Sequence, residues 1–390
     1  MKWDTLFPGS ALGGAARGEE ERPMSRLGAS GRHHARKMLV ALVDGNDEHR
    51  AQLTGALSSY YQVADYSHGG RAAEDMADAP PSLLLVDEQA PAAEELRRLV
   101  RDDQRFANVP VICTTRRLVA GQLRHDGIDA FLEKPFRRSL LLRTISSLVN
   151  RSVESSWQNL PEGQREALTR TVEVFNAISD MVQRGEPLQY QVLGDACRPL
   201  VQAVTTDEYR AVLDNVRAHD NYSYVHSLRV GTLLSLFGYT IGLRGDELLV
   251  LACGGLVHDI GKMTIPHDVL NKPGRLTPDE WTVMQGHVKG SIRYLQKGNM
   301  PRGVVTIAAQ HHEKLDGSGY PFGLDGGKLN DLARMAAIVD VFSALTDRRV
   351  YKPALAPEHA LDIMTGTMGT ELDQGLLAMF RDMLLEAAGQ

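Results

Sequence analysis

Four short apolar runs, each closed by a polar residue, most constrain the first half of this 390-residue chain. Met38-Leu39-Val40-Ala41-Leu42-Val43 ends at Asp44, and Leu83-Leu84-Leu85-Val86 ends at Asp87. Val109-Pro110-Val111-Ile112-Cys113-Thr114 ends at Thr115, and Ala130-Phe131-Leu132 leads into Glu133-Lys134-Pro135-Phe136. Strands this apolar alternate with helical stretches, which is the pattern of a parallel sheet covered on both faces. The expectation is an α/β, doubly wound domain over residues 38–150. Functional groups in such folds collect at the carboxyl ends of the strands, where Asp44, Asp87, Thr115 and Lys134 fall.

The second half is marked by a different signal. His226, His258-Asp259, His287, His311-His312 and Asp340 are drawn from a chain with only 13 histidines. An adjacent His-Asp and an adjacent His-His are hard to explain as core packing. Neutral imidazole and carboxylate together suit a divalent metal such as Fe, Mn, Zn or Ni. An Asp beside a His can bridge two ions, and two metals about 3.5–4 Å apart can activate a water for in-line attack on phosphorus. These residues point to a two-metal phosphoesterase. His311 and His312 diverge by about 100° if both lie on a helix, so one would ligate a metal while the other turns toward substrate or a second ion. Thr277-Pro278-Asp279-Glu280, ahead of His287, is a helix-capping sequence.

The context of these residues resembles the HD-GYP family of HD metal-dependent phosphohydrolases. The motifs are Gly254-Gly255-Leu256-Val257-His258-Asp259-Ile260-Gly261-Lys262 and His311-His312-Glu313-Lys314-Leu315-Asp316-Gly317-Ser318-Gly319-Tyr320-Pro321. The resemblance covers roughly residues 188–388. It implies an all-α domain that hydrolyses cyclic di-GMP to pGpG or on to GMP, with two divalent ions per chain, Fe or Mn. By resemblance Asp259 bridges the ions, His226, His258 and Asp340 complete one, and His287, His311 and His312 serve the other. Family members with three metals carry Glu where this chain has Tyr222, which favours two. Lys262 would meet phosphate or protonate the leaving group, and Arg349 and Lys352 would contact phosphate. Asp316, Gly319 and Tyr320 belong to a loop beside the substrate, linked in the family to partners that include diguanylate cyclase domains. A homodimer is also expected. Two rivals remain: an HD-GYP protein without turnover that binds nucleotide or a partner, and a phosphodiesterase for another nucleotide such as cyclic GMP-AMP.

Residues 38–150 resemble a response-regulator receiver domain, with a five-stranded sheet. The resemblance implies Asp87 as phosphoacceptor, Thr115 and Lys134 as phosphoryl contacts, Phe131 as the aromatic switch residue and a sensor histidine kinase as partner. Receivers pair two acidic residues after the first strand to hold Mg²⁺, whereas here Asp44 is followed by Gly45. Asp47 could compensate only through a rearranged loop, so phosphorylation should be slow, and Gly45→Asp should improve it.

Composition bounds the rest. A net charge of −6 argues against a nucleic-acid binder held by phosphate contacts. No apolar run approaches the roughly 18 residues that cross a bilayer, and no signal-peptide core is present, so a cytoplasmic protein is expected. Cys113, Cys197 and Cys253 lack metal or redox spacing. Residues 1–37 read as a disordered tail and 151–187 as a helical linker, with the catalytic domain over 188–390. His219 and Asp220 are expected to cap the helix that carries His226.

Overall fold

The computed structural model describes residues 38–58, 61–117, 127–217, 219–270, 272, 274–347 and 354–389. The tail expected over 1–37 lies outside them, as do Arg349 and Lys352.

The N-terminal domain alternates strands and helices: β1 (Leu39–Val43), α1 (Asp47–Leu57), β2 (Gln62–Tyr66), α2 (Gly69–Asp78), β3 (Leu83–Asp87), α3 (Ala93–Asp102), β4 (Val111–Thr115) and β5 (Ala130–Glu133). All strands pair in parallel, in the order β2-β1-β3-β4-β5. Successive side chains point to opposite faces, and both faces are covered. Val40, Leu42, Leu83, Leu85 and Ile112 pack with Leu53 of α1 and with Leu141, Ile145 and Leu148 of α4 (Arg138–Ser156). Ala41, Val43, Leu84 and Val86 pack with Met76 of α2 and with Leu96 and Val100 of α3. This is the receiver fold. The strand order reverses between β1 and β3, so Asp44 and Asp87 stand together at the switch point, where such sheets bind ligands. The strand that the apolar runs did not reveal is β2, an edge strand with Gln62 and Asp65 exposed.

Helix α4 runs without interruption past residue 150, where the linker was expected to begin. A helical hairpin follows: α5 (Glu162–Arg184), ended by Gly185 at φ 71°, and α6 (Tyr190–Thr205). Then come α7 (Tyr209–Val216), α8 (Tyr222–Thr240), α9 (Asp246–Val257), α10 (His267–Leu270), α11 (Pro278–Leu295), α12 (Arg302–Gln310), α13 (Asp331–Thr346), α14 (Pro357–Thr367) and α15 (Gln374–Gly389). The described part of this second domain is all-α. Helix α8 is buried almost all round, as a central helix must be. On one side it meets the core built with α5, α6 and α9, and on the other the core shared with α13 to α15. Among the described residues, no helix is long and apolar enough to cross a membrane.

Candidate metal centre

The seven expected ligands come from five segments, each fixed locally. His226 lies in the second turn of α8, whose N-terminus is capped by the Asn221 side chain accepting from the Tyr224 N–H at 3.1 Å. The cap is therefore Asn221, not His219 or Asp220. His258 ends α9, and the chain tightens into a short 3₁₀ turn over Ile260–Thr264. Ser291 of α11 pins that turn: its hydroxyl donates to the His258 carbonyl at 3.0 Å and accepts from the Gly261 N–H at 2.9 Å. Gly261 is required there, because a Cβ would stand 1.9 Å from the His287 carbonyl oxygen. His287 lies on α11, which starts with the expected capping box of Thr277 and Glu280. His311 caps the C-terminus of α12, and His312 follows it in a turn. Because His312 has left the helix, the divergence expected for adjacent helical residues does not apply. Asp340 is buried within α13.

All seven converge. His258 Nε2 is 3.2 Å from Asp259 Oδ2 and 3.7 Å from Asp340 Oδ1, and His226 Nε2 is 3.1 Å from Asp340 Oδ1. On the other side His287 Nε2 lies 3.1 Å and His311 Nε2 3.7 Å from Asp259 Oδ1. His312 Nδ1 is 3.6 Å from Asp340 Oδ2. Two groups have donor atoms mutually within 4.8 Å: Asp259, His287, His311 and His312, and His226, His258 and Asp259. Asp259 is common to both, one carboxylate oxygen toward each. The Tyr222 ring stacks on the His226 ring at 5.9 Å.

The donor atoms are aimed by groups behind them. The Nδ1 atoms of His258 and His287 each bond a carbonyl, of Gly255 and Met284, at 2.7 Å, and His311 Nδ1 bonds that of Ala308 at 3.1 Å. A ring that donates through Nδ1 presents the Nε2 lone pair to the centre. His226 instead places Nδ1 3.1 Å from Asp347 Oδ2, whose Oδ1 accepts from Arg229 at 2.7 Å. Sequence reasoning missed Asp347, although it follows Asp340 by two helical turns. Buried Nε2 of His258, His287 and His311 and Oδ1 of Asp259 have no hydrogen-bond partner; the 3.1 Å His287–Asp259 approach is a close contact without hydrogen-bond alignment. Each such orphan costs about 1–3 kcal/mol, so the donor set fits divalent ions that would satisfy all four.

Charge tells the same story. Burial opposes a proton on His258, but the Asp259 and Asp340 carboxylates outweigh it and lift the imidazole to about 10. Burial also opposes ionisation of Asp259, yet Lys262 and His258 beside it hold its pKa well below the usual range. Burial, reinforced by His311, keeps His312 neutral. Lys262 pairs with Asp259 Oδ2 at the mouth of the centre.

The loop after His312 divides into contact and scaffold. The Tyr320 ring lies 4.7 Å from the His312 ring, and burial raises its pKa well above the normal value. Gly319 packs on the chain at Glu313, where a Cβ would come within 2.5 Å of the Glu313 Cα. Asp316 is exposed and accepts from Ser318 N–H at 2.9 Å and Ser318 Oγ at 2.6 Å, so it shapes the loop. Buried Glu313, not singled out from sequence, accepts from the Phe322 and Leu324 N–H groups at 2.7 and 2.8 Å.

At the receiver switch point Lys134 Nζ lies 2.5 Å from Asp87 and 3.2 Å from Asp44. The hydroxyl on Asp87 belongs to Thr114, at 2.8 Å, whereas Thr115 donates to Glu88 at 2.6 Å, because adjacent strand residues face opposite ways. Phe131 lies on β5, half-buried. Asp47 does not compensate for Gly45: its side chain is 87% exposed and bound to Arg50. His49 instead puts Nδ1 2.5 Å from Asp44 Oδ2. A Cβ on Gly45 would lie 2.9 Å from Pro91 Cδ, so the carboxylate envisaged by Gly45→Asp has no room unless Pro91 shifts.

Residues 210–376 match the family model described as "HD domain". A cyclic di-GMP phosphodiesterase of Pseudomonas aeruginosa is 38% identical over 141 residues, 36% of this chain and 34% of that protein. A probable cyclic di-GMP phosphodiesterase of Vibrio cholerae is 29% identical over 372 residues, 87% of this chain and 76% of that one. A 3'3'-cGAMP-specific phosphodiesterase of the same species is 38% identical over 149 residues, 38% and 35%. The chain thus spans about a third of the length of the first and third of these relatives. At the level of family, the match and the geometry together support a receiver domain joined to a domain of the HD superfamily.

Proposed function

We propose that the chain is a metal-dependent phosphodiesterase of the HD-GYP type that cleaves cyclic di-GMP, to pGpG or on to GMP, under the influence of its receiver. The observation that carries this reading is Asp259, one carboxylate shared by two groups of buried imidazoles. Two ions of Fe or Mn, when bound there, would supply Lewis-acid stabilisation of charge on phosphorus and activate the attacking water. His226, His258 and Asp340 would hold one, His287, His311 and His312 the other. The chain's own groups do the rest. Lys262, at the mouth, offers an ammonium to a phosphoryl oxygen and a proton to the leaving oxygen. Tyr320 gives the substrate a ring beside His312. Arg349 and Lys352 remain proposed phosphate contacts.

Asp87 is the proposed phosphoacceptor for a sensor kinase in the cytoplasm, slow because Gly45 leaves the Mg²⁺ pocket one carboxylate short and His49 engages the Asp44 carboxylate that remains. The relatives support a second substrate: one is named for 3'3'-cGAMP and matches this chain at 38% identity. The test is turnover of both cyclic dinucleotides by Mn²⁺- and Fe²⁺-loaded protein, with products resolved by chromatography. Cyclic di-GMP should be cleaved, and Asp259→Ala should lose both ions and all turnover. Fully loaded wild type that cleaves neither would sink the reading in favour of a binding module.

A further inference from the structure

Beside the metal centre lies a cleft of about 610 Å³, within the usual range for small-ligand sites. One end is formed by Asp259 and Lys262. Part of its lining is not from the HD domain: α4, the last helix of the receiver fold, contributes Arg143 and Arg151. Both are exposed, and among the described residues neither has a carboxylate partner. Helix α5 adds Asn176 and Asp180, also exposed. Glu154 of α4 lines the cleft too, but His219 Nε2 occupies it at 3.0 Å.

A cyclic dinucleotide carries two phosphates. With one at the metal centre, served there by Lys262 beside Asp259 and by the proposed contacts Arg349 and Lys352, the other needs cations of its own. Two unpartnered guanidinium groups facing the same cleft meet that need, since Arg binds phosphate through paired N–H donors. We propose that this cleft is the subsite for the far half of the substrate, with its second phosphate on Arg143 and Arg151 and its base edge against Asp180, whose carboxylate accepts from the N–H groups of a guanine. The proposal deepens the phosphodiesterase reading and rests on it. Its consequence is that the receiver supplies part of the substrate site.

The test is steady-state kinetics on cyclic di-GMP with the full-length, metal-loaded protein. Arg143→Ala with Arg151→Ala should raise KM about ten-fold or more, with kcat changed far less. Arg143→Lys should fall between wild type and Arg143→Ala, and Arg143→Glu beyond it. Metal content and thermal unfolding of each variant should match wild type. Wild-type KM in the double variant would overturn the subsite while leaving the phosphodiesterase reading intact. Wild type that cleaves bis(p-nitrophenyl) phosphate but no cyclic dinucleotide would overturn the substrate reading, and the subsite with it.

Discussion

Asp347 acts on the metal centre through His226, fixing which ring nitrogen carries the proton and which faces Asp340. Removing such a partner typically costs 10–100-fold in metal affinity. Asp347→Ala should therefore weaken the ion held by His226, His258 and Asp259 by about that factor, and leave the other ion in place. Competition with a chelator of graded affinity reads this directly; equal weakening of both ions, or of neither, would count against it. His258 carries a second expectation. Its metal-free pKa of about 10 means the ring is protonated at pH 7, while a ligand must be neutral. Metal must displace that proton, so affinity should rise with pH up to about 10 and level off above. Calorimetric titrations in buffers of different ionisation enthalpy should show proton release at pH 7. Binding without release would show that the ring is neutral beforehand.

The elements divide by how much of their role is written locally. The ligands were legible because His and Asp are rare in helix cores and adjacent pairs have little structural excuse. β1, β3 and β4 were legible because strands buried on both faces are apolar throughout, and β5, the other edge, because Ala130-Phe131-Leu132 is apolar although only Leu132 is fully buried. β2 was not, because an edge strand leaves Gln62 and Asp65 in solvent. His49 and Glu313 were missed because their roles lie in what the folded chain brings to them, a carboxylate in one case and two loop N–H groups in the other. The contact of Gly261 with α11 is equally silent in sequence, since a close approach leaves no trace but the absence of a side chain. Gly261→Ala would push the Asp259 turn off α11. It should cost about 3 kcal/mol, the upper range for overpacking, and lower metal content, read by thermal unfolding and metal analysis together. A wild-type melting temperature would show that the contact is slack.

On the scale of the whole molecule, the two domains meet at the segment just before α8. Tyr61 of the receiver donates to Asp220 at 2.9 Å, and Asn150 of α4 accepts from the Asp220 N–H at 2.6 Å. Trp157 stacks on His219 at 5.8 Å. His226 begins less than two turns further on. Tyr61→Phe deletes a bond worth about 1 kcal/mol, and should speed hydrogen–deuterium exchange over residues 217–226 with metal content unchanged. Unaltered exchange there would mean the joint is held without it. The unbroken course of α4 has a mechanical side. Its 19 residues make a rod about 28 Å long, packed on the receiver sheet from Leu141 to Val149 and meeting the segment before α8 through Asn150 and Glu154. Tilting such a rod by about 5° at its first residue moves Asn150, about 18 Å along it, by about 1.6 Å, more than half the length of its 2.6 Å bond to Asp220. A small rotation at the receiver is thereby geared up into a displacement large enough to unfasten the entrance to the helix that bears His226.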